Sequence, residues 1–276
     1  MKNTTIAFIG GGNMATSLIG GLIADGFDAN KIWVADPDGE KLHRLAAQFP
    51  VQTTTDNVHA VKQAEIVVLA VKPQNIKQAC DDIAVALQAK NALLISIAAG
   101  IRKSALRAWL GTDVPLVRTM PNTPALIQSG ATVLCADSGV SHAQRSLAES
   151  LMRSVGVTLW IEDESQMDAV TALSGSGPAY FFYVMEVMEQ AAVELGLTQE
   201  TAHLLTLQTA FGAAKMALES TDDIAQLRAR VTSPGGTTER AISVLQHAQI
   251  KRIFAEALSA AQQRSQELAE ILERQS

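Results

Sequence analysis

Up to about Trp160, short apolar runs alternate with longer amphipathic stretches. The runs are rich in Val, Ile and Thr, which is typical of strands, and the stretches carry apolar residues at helical spacing. This alternation predicts a parallel sheet covered by helices. The predicted strands span residues 5–9, 31–35, 65–71, 92–97, 114–119, 132–136 and 157–161, with helices at 14–24, 40–49, 76–87 and 143–155.

Beyond Glu164 the pattern changes to helices alone. Residues 180–193 and 203–217 are apolar around most of the helix circumference, so each needs more than one neighbour to cover it. A small helical region gains such neighbours by packing against a second copy of itself, which predicts a homodimer. We therefore predict an α/β domain at residues 1–162 and an all-α C-terminal dimerisation domain at 163–276. The helices predicted there span residues 178–195, 198–219, 222–230, 234–246 and 250–275.

Composition and charge narrow the functional classes. The chain has 276 residues, of which 47% are hydrophobic and 18% charged, an ordinary globular mixture. A net charge of −6 without any Lys/Arg run predicts binding to neither nucleic acid nor membrane. Cys80 and Cys135 form no CxxC pair or metal-ligand cluster, so we expect no metal. Apolar runs such as residues 92–101 are too short to span a bilayer, and we expect a cytoplasmic protein.

The first predicted strand leads into a glycine-rich turn, Gly10-Gly11-Gly12-Asn13-Met14-Ala15, which opens a helix. This G-x-G-x-x-A pattern, with Asp36 at the end of the second strand, is typical of a Rossmann dinucleotide fingerprint. Gly10 permits the tight turn, and Gly12 lets the backbone approach the pyrophosphate. The α/β domain is therefore predicted to be a Rossmann domain that binds NADH or NADPH.

Asp36 bears on the choice between these two cofactors. A carboxylate at this position accepts a hydrogen bond from the ribose 2′-hydroxyl of NADH and repels the 2′-phosphate of NADPH. Lys41 and Arg44, three residues apart at the start of the next helix, either reach a phosphate or simply face solvent. The sequence therefore leaves the cofactor preference open.

Two further turns follow buried strands, Ala70-Val71-Lys72-Pro73 and Ile97-Ala98-Ala99-Gly100. Ligands of open α/β sheets bind at the carboxyl ends of the strands. Small residues at these turns suit a cofactor that lies close to the backbone. Lys72 is interpreted equally well as a ligand contact or as an exposed lysine at a helix start.

A second glycine-rich turn, Ser233-Pro234-Gly235-Gly236-Thr237-Thr238, opens a helix predicted in the all-α domain. Ser233 suits the N-cap and Pro234 the first helical position. The two glycines leave the first-turn amides bare, and three hydroxyls surround them. Because the positive end of a helix dipole attracts anions, the turn predicts a cradle for a small carboxylate or phosphate. Taken alone, such a turn more often only starts a helix.

Five segments in order carry a resemblance to a known family. They are GGGNMA at residues 10–15, VKP at 71–73, RTMPNTP at 118–124, LSGSGPAY at 173–180 and VTSPGGTT at 231–238. On these motifs the chain resembles the pyrroline-5-carboxylate reductases over essentially its whole length. The resemblance implies reduction of the cyclic imine Δ1-pyrroline-5-carboxylate to L-proline with NADPH or NADH, the final step of proline biosynthesis. It also implies homodimers that often build decamers.

The resemblance further implies the residues of the site. The implied dinucleotide contacts are Ile9, Gly10, Gly11, Gly12, Asn13, Met14, Asp36, Asn57, Ala70, Val71, Lys72, Pro73, Ile97, Ala98 and Ala99. The implied substrate contacts are Glu164, Ser233, Gly236, Thr237 and Thr238. Two positions depart from the family pattern. Asp36 stands where NADPH-using relatives often have Ser or Thr, and Arg230 stands where some have Asn and is therefore left out of the site.

An imine reductase must hold the ring, place its C=N carbon against the nicotinamide and supply a proton to nitrogen. The motifs contain no obvious strong acid, which suits a cyclic imine because weak donors can protonate it. We assign Thr238 as the catalytic hydroxyl at the ring nitrogen, with Ser233 and the amides of residues 236–238 on the carboxylate. For Glu164 three interpretations stay open. It stabilises a charged ring nitrogen, it orders the adjoining loop, or it is one of several exposed acids without a role in the site.

Two alternatives stay open at this point. A reductase of another small carboxylated imine or 2-keto acid would share the two-domain plan, although a ketone needs a better acid than the motifs offer. A dinucleotide-binding sensor that docks a protein partner would do no chemistry, and it would need no hydroxyl-lined anion cradle.

Overall fold

The computed structural model describes residues 4–274, and the strands in this range form one eight-stranded sheet. The strands are β1 (Ile6–Ile9), β2 (Ile32–Ala35), β3 (Gln52–Thr54), β4 (Ile66–Leu69), β5 (Leu93–Ser96), β6 (Leu116–Met120), β7 (Gly130–Ala136) and β8 (Gly156–Trp160). Their order across the sheet is β3-β2-β1-β4-β5-β6-β7-β8. Neighbours pair in parallel except β6 and β7, so the sheet is the predicted Rossmann type with a mixed edge.

Helices alternate with the strands up to β8, and the elements described after β8 are all helical. The helices are α1 (Asn13–Ala24), α2 (Gly39–Gln48), α3 (Asn57–Gln63), α4 (Ile76–Lys90), α5 (Lys103–Leu110), α6 (His142–Arg153), α7 (Met167–Val170), α8 (Gly177–Glu194), α9 (Gln199–Glu219), α10 (Ile224–Arg230), α11 (Thr237–His247) and α12 (Ile250–Arg274). In the described part of the chain no helix is long and apolar enough to cross a membrane.

The core of the sheet explains why its strands were visible in the sequence. Along β1, Ile6 and Phe8 pack with α1, α2 and α6, whereas Ala7 and Ile9 pack with α3, α4 and α5. All four side chains are fully buried. A strand covered on both faces is an almost continuous apolar run, and the strands predicted from such runs are confirmed.

Four elements are absent from the sequence prediction because each is too short for a clear periodic signal. β3 is a short edge strand of polar residues, Gln52–Thr54, and α7, α3 and α5 have only four, seven and eight residues. The sheet also differs from the parallel prediction at β7. Residues 121–129 between β6 and β7 are too few for a crossover connection, so the chain reverses and pairs antiparallel.

The chain divides into two compact units, one comprising residues up to Ser176 together with those from Ala261 onward, the other Gly177–Ala260. Residues 164–176 stay with the sheet because Met167 packs against Val133 and Cys135. The end of α12 returns to the first unit because Ser265 Oγ donates to Asp168 Oδ1 at 2.7 Å. The domain boundary predicted at residues 162–163 marks the end of the strand pattern and stays a prediction.

Candidate functional site

The first glycine-rich turn is shaped by close backbone approach. Gly10 has a φ of +102°, and a Cβ there would lie 2.7 Å from the Ala70 carbonyl oxygen. Gly12 is the N-cap of α1, has no side-chain cap, and leaves open space where a Cβ would be. The first backbone bond of α1 joins the Thr16 amide to the Gly12 carbonyl at 2.9 Å, so the preceding amides lack intrahelical partners. The turn therefore fits a pyrophosphate at the helix N-terminus.

Asp36 lies directly after β2 and is buried, with 4% of its surface exposed. Its Oδ2 accepts from the Gly11 amide and from Lys41 Nζ, each at 2.8 Å, and its Oδ1 accepts from the Asp38 amide at 3.0 Å. Burial opposes ionisation, but the hydrogen bonds from Lys41 and the two amides outweigh it and hold the pKa of Asp36 below its usual value. The carboxylate is therefore ionised, oriented by the glycine turn and paired with a lysine.

The other predicted dinucleotide residues follow β3, β4 and β5 at the same edge of the sheet. The Ala70 amide donates to the Ile9 carbonyl at 2.8 Å, and the Ile97 amide donates to the Leu69 carbonyl at 3.2 Å. Asn57 begins α3, and its side-chain amide donates to Asp82 at 3.3 Å. All the residues predicted to contact dinucleotide thus belong to the first unit. Their contact with dinucleotide stays a prediction.

A cavity of about 630 Å³ adjoins two of these turns at Pro73 and Ala99. Its wall includes Thr171 and Ser176, which bracket one π-helical turn closed by a 2.8 Å bond from the Ser176 amide to the Thr171 carbonyl. Thr171 Oγ1 donates to the Met167 carbonyl at 2.8 Å, whereas the Ser176 hydroxyl has no hydrogen-bond partner within residues 4–274. Single π-turns occur frequently at functional sites. The sequence reasoning missed both hydroxyls.

The MPNTP and SGSGPAY segments meet at this π-turn. Asn122 Nδ2 donates to Ser174 Oγ at 3.2 Å, and Asn122 Oδ1 accepts from the Ala131 amide at 2.9 Å. A Cβ at Gly175 would collide with the Met120 methyl group. Asn122 therefore supports the backbone of the second motif, and the Met120 methyl group lies so close to Gly175 that a larger residue there would displace it. In the sequence, the run of small residues at 174–177 was the feature from which a close contact with another segment could have been inferred.

Glu164 lies in the first unit and is largely occupied by protein contacts. Its Oε1 accepts from the Lys103 amide at 2.8 Å and from Arg118 Nη1 at 2.9 Å. Arg118 is buried, with 5% of its side chain exposed, whereas Glu164 is 24% exposed at the wall of a charged cavity of about 360 Å³. Glu164 thus anchors the start of α5 to β6, and only its Oε2 is left without a partner in the described chain.

The second glycine-rich turn lies in the second unit and differs from its prediction. Helix α11 begins at Thr237 with Gly236 as N-cap, not at Pro234 with Ser233 as N-cap. Gly235 has a φ of +72°, which interrupts any helix that starts at Pro234. Gly235 donates its amide to Glu239 Oε2 at 2.7 Å.

This geometry also corrects one predicted donor. The Gly236 amide already donates to the Ser233 carbonyl at 3.0 Å, so it is not a bare amide. The first backbone bond of α11 joins Arg240 to the Gly236 carbonyl at 3.2 Å, which leaves the amides of Thr237, Thr238 and Glu239 without intrahelical partners. Thr237 is exposed and Thr238 half-buried. An anion cradle remains at this helix start, but of the three amides predicted to line it, those of residues 236–238, only the amides of Thr237 and Thr238 are free.

The predicted substrate residues fall into different compact units, Glu164 in the first and residues 233–238 in the second. Arg230, left out of the predicted site, forms an ion pair with Asp222 in the second unit. No group of three or more His, Cys, Asp or Glu side chains that could hold a metal ion occurs within residues 4–274.

Comparison with known proteins decides the family. Residues 164–268 match the family model described as pyrroline-5-carboxylate reductase dimerisation. A pyrroline-5-carboxylate reductase of Pseudomonas aeruginosa is 53% identical over 99% of this chain and 99% of its own length. The chain belongs to the pyrroline-5-carboxylate reductase family. Residues 5–100 also match a model described as NADP oxidoreductase coenzyme F420-dependent, which agrees with an NAD(P)-binding Rossmann domain.

Solved structures of family members have the same fold. A pyrroline-5-carboxylate reductase from Coxiella burnetii superposes with a TM-score of 0.93 at 48% identity, covering 96% of this chain and 98% of that one. The Plasmodium falciparum enzyme, solved with NADP bound, gives 0.86 at 28% identity and covers 98% and 99% of the two chains. The prediction of a Rossmann domain followed by a helical dimerisation domain is confirmed.

Proposed function

We propose that this chain reduces Δ1-pyrroline-5-carboxylate to L-proline with NADPH or NADH, the final step of proline biosynthesis. The observation that carries the proposal is the match over 99% of the chain to a reductase of that name. The two glycine-capped helix starts agree with it, because one suits a dinucleotide pyrophosphate and the other a small carboxylate. A sensor without chemistry and a reductase of 2-keto acids are not favoured.

The predicted dinucleotide residues would hold the cofactor. The first-turn amides of α1 bind the pyrophosphate, and Asp36 meets the adenosine ribose. The turns at Ala70–Pro73 and Ile97–Ala99 border the nicotinamide end, where the cavity beside Pro73 and Ala99 offers the hydroxyls of Thr171 and Ser176. When bound, the reduced nicotinamide supplies the hydride that the imine carbon accepts.

The substrate is proposed to bind at the second glycine-rich turn. The amides of Thr237 and Thr238, with the Ser233 hydroxyl, hold the carboxylate at the positive end of α11. The guanidinium groups of Arg228 and Arg240 line the same region and have no ion-pair partner among the described residues, which favours an anionic ligand. Gly236 is left without an amide contact to the substrate, because its amide already donates to the Ser233 carbonyl.

The proton step is assigned to Thr238. Its hydroxyl hydrogen-bonds the ring nitrogen, directly or through water, as the C=N carbon receives hydride. A weak donor suffices because the product amine nitrogen is strongly basic. Glu164 is proposed to act through its free Oε2, which favours a positive charge on the ring nitrogen.

The active form is proposed to be a homodimer in the cytoplasm, with a decamer built of dimers as the larger assembly. Phe181, Phe182 and Tyr183 in α8 are 65–68% exposed, and Phe211 in α9 is 62% exposed. Contiguous large apolar side chains of this kind mark a protein interface. Light scattering after size-exclusion chromatography tests the assembly, and a monomer at micromolar concentration would rule it out.

The activity is tested by steady-state oxidation of each reduced cofactor with the five-membered imine as substrate. We expect turnover with both cofactors and formation of proline. Tight dinucleotide binding without any turnover would support the sensor instead. A matched assay with the six-membered homologous imine and with a 2-keto acid distinguishes the substrate class, and faster turnover of either compound would overturn the assignment.

A further inference from the structure

The Asp36 carboxylate poses a problem for a reductase that uses NADPH as well as NADH. Asp36 follows β2, the position at which a Rossmann domain meets the ribose 2′ group. A lone carboxylate there accepts from the 2′-hydroxyl of NADH and repels the 2′-phosphate of NADPH. In this chain the carboxylate is not alone, because Lys41 Nζ lies 2.8 Å from its Oδ2.

Lys41 is held over the glycine turn by the local fold. Asp38 caps α2, and its Oδ1 accepts from the amides of Glu40 and Lys41, each at 3.0 Å, which fixes Lys41 in the first helical turn. A Cβ built on Gly11 would lie 3.6 Å from Lys41 Cδ, so the aliphatic stem covers the turn itself. The stem thus packs on the dinucleotide turn while the amine stays at the ribose position.

The two partners differ in their freedom to move. The Asp36 side chain is 6% exposed and remains tied to the amides of Gly11 and Asp38 without any help from the lysine. The Lys41 side chain is 36% exposed. A flexible stem that ends in a half-exposed ammonium group can exchange one anionic partner for another. Asp36 is therefore the fixed member of the pair and Lys41 the exchangeable one.

We propose that Lys41 binds the 2′-phosphate of NADPH and pairs with Asp36 when that phosphate is absent, so that one site accepts both cofactors. This inference rests on the proposed function and names the residue that selects its cofactor. With NADH, the Asp36–Lys41 pair stays closed and Asp36 accepts from the ribose. With NADPH, the amine moves to the phosphate and offsets the repulsion from Asp36.

Arg44 is the competing cation, one turn further along α2. It is exposed and contacts neither Asp36 nor any other acid among the described residues. Its guanidinium has no structural tie to the ribose position, whereas the Lys41 amine is already hydrogen-bonded there. The observations therefore favour Lys41, and Arg44 becomes one arm of the test.

The experiment measures the affinity of the purified protein for NADP⁺ and NAD⁺ by titration calorimetry, without imine. For Lys41→Met we expect the affinity for NADP⁺ relative to NAD⁺ to fall about ten- to hundredfold, the range of a hydrogen bond to a charged group. Lys41→Arg should keep the ratio within about threefold because a cation remains. Affinity for NAD⁺ reports in each case whether the site is still folded.

Two matched variants serve as controls. Lys90→Met removes the same charge at the last residue of α4, just before β5, and hence at the edge of the sheet opposite the cofactor turns. Arg44→Met removes the competing cation. Both should leave the ratio unchanged. An unchanged ratio in Lys41→Met, an equal loss of both affinities, or a fall in Arg44→Met as large as in Lys41→Met would overturn the proposal. Because no imine is present, these outcomes are independent of whether the chain reduces that imine.

Discussion

The two helix starts at Gly12 and Gly236 use the same backbone design in different surroundings. Each helix has a glycine N-cap in extended conformation without a side-chain cap, and each turn contains a glycine at positive φ, Gly10 and Gly235. By contrast, α2, α3, α6, α9 and α10 are capped by their own side chains. Both glycine-capped starts leave backbone amides for an outside anion.

The two turns differ in the reason why a glycine is required at the residue with positive φ. Gly10 is packed against the backbone at Ala70, so its missing side chain is a condition of the fold. A Cβ at Gly235 would meet no atom within 4 Å, so only the φ of that residue calls for glycine. The dinucleotide turn is therefore built into the sheet, whereas the second turn is an exposed segment in which Gly235 serves the backbone conformation.

The largest expected effect separates the two positive-φ glycines. Gly10→Ala should lower the free energy of unfolding by about 3 kcal/mol or more, because a strained φ adds to a clash with a backbone carbonyl. Gly235→Ala should lower it by only about 1–2 kcal/mol, because strain acts alone. Urea unfolding of both variants measures the contrast. Equal losses would mean that the two turns are built alike.

The next effect concerns chemistry at the second turn. Thr238→Ala should lower turnover about a hundredfold, as removal of a donor from a reacting centre does, and leave dinucleotide affinity nearly unchanged. Thr238→Ser keeps the hydroxyl and should retain most of the activity. Steady-state kinetics with saturating imine, together with calorimetry of NADP⁺ binding, supply both numbers. Undiminished turnover in the alanine variant would remove Thr238 from the mechanism.

A smaller effect shows whether the space beside Gly12 is needed for ligand binding or for folding. Gly12→Ala should weaken dinucleotide affinity about tenfold, because the added methyl group occupies the room left for the pyrophosphate. Stability should fall by less than about 1 kcal/mol, because the Cβ meets no protein atom within 4 Å and only the N-cap preference changes. A variant that unfolds easily yet binds dinucleotide normally would contradict this account of Gly12.

The smallest effect is a dependence of stability on pH at Asp36. Its folded pKa lies below the unfolded one, so its ionised contacts stabilise the fold above about pH 4 and are lost as the pH falls through the folded pKa. Asp36→Asn should therefore flatten the acid decline of stability below about pH 4. Asp25→Asn is a charge-matched control on an exposed residue. Identical acid slopes for Asp36→Asn and the unmodified chain would argue against the shift.

The sequence alone predicted the features whose signal is local. Strands buried on both faces appear as apolar runs, and the two glycine-rich turns appear as motifs. β3 was missed because Gln52–Thr54 is polar, and the reversal at β7 depends on the short connection after β6. The start of α11 was misplaced because Pro234 suits a first helical position, whereas the conformation of Gly235 prevents it.

The contacts that define the site depend on residues far apart in the chain. The Gly11–Asp36 bond and the Asn122–Ser174 bond join segments that no periodic pattern relates. Their motifs were visible, but the partner of each side chain was not. The sequence left Lys41 open between reaching a phosphate and facing solvent, and only the fold shows that it pairs with Asp36.

The central claim is hydride transfer to a cyclic imine, and isotope labelling tests it most directly. The purified protein is supplied with Δ1-pyrroline-5-carboxylate and NADPH or NADH deuterated at carbon 4 of the nicotinamide, on each face in turn. We expect L-proline that carries a single deuterium at carbon 5 from one of the two faces. Proline without label from either face, or no proline with either cofactor, would contradict the account.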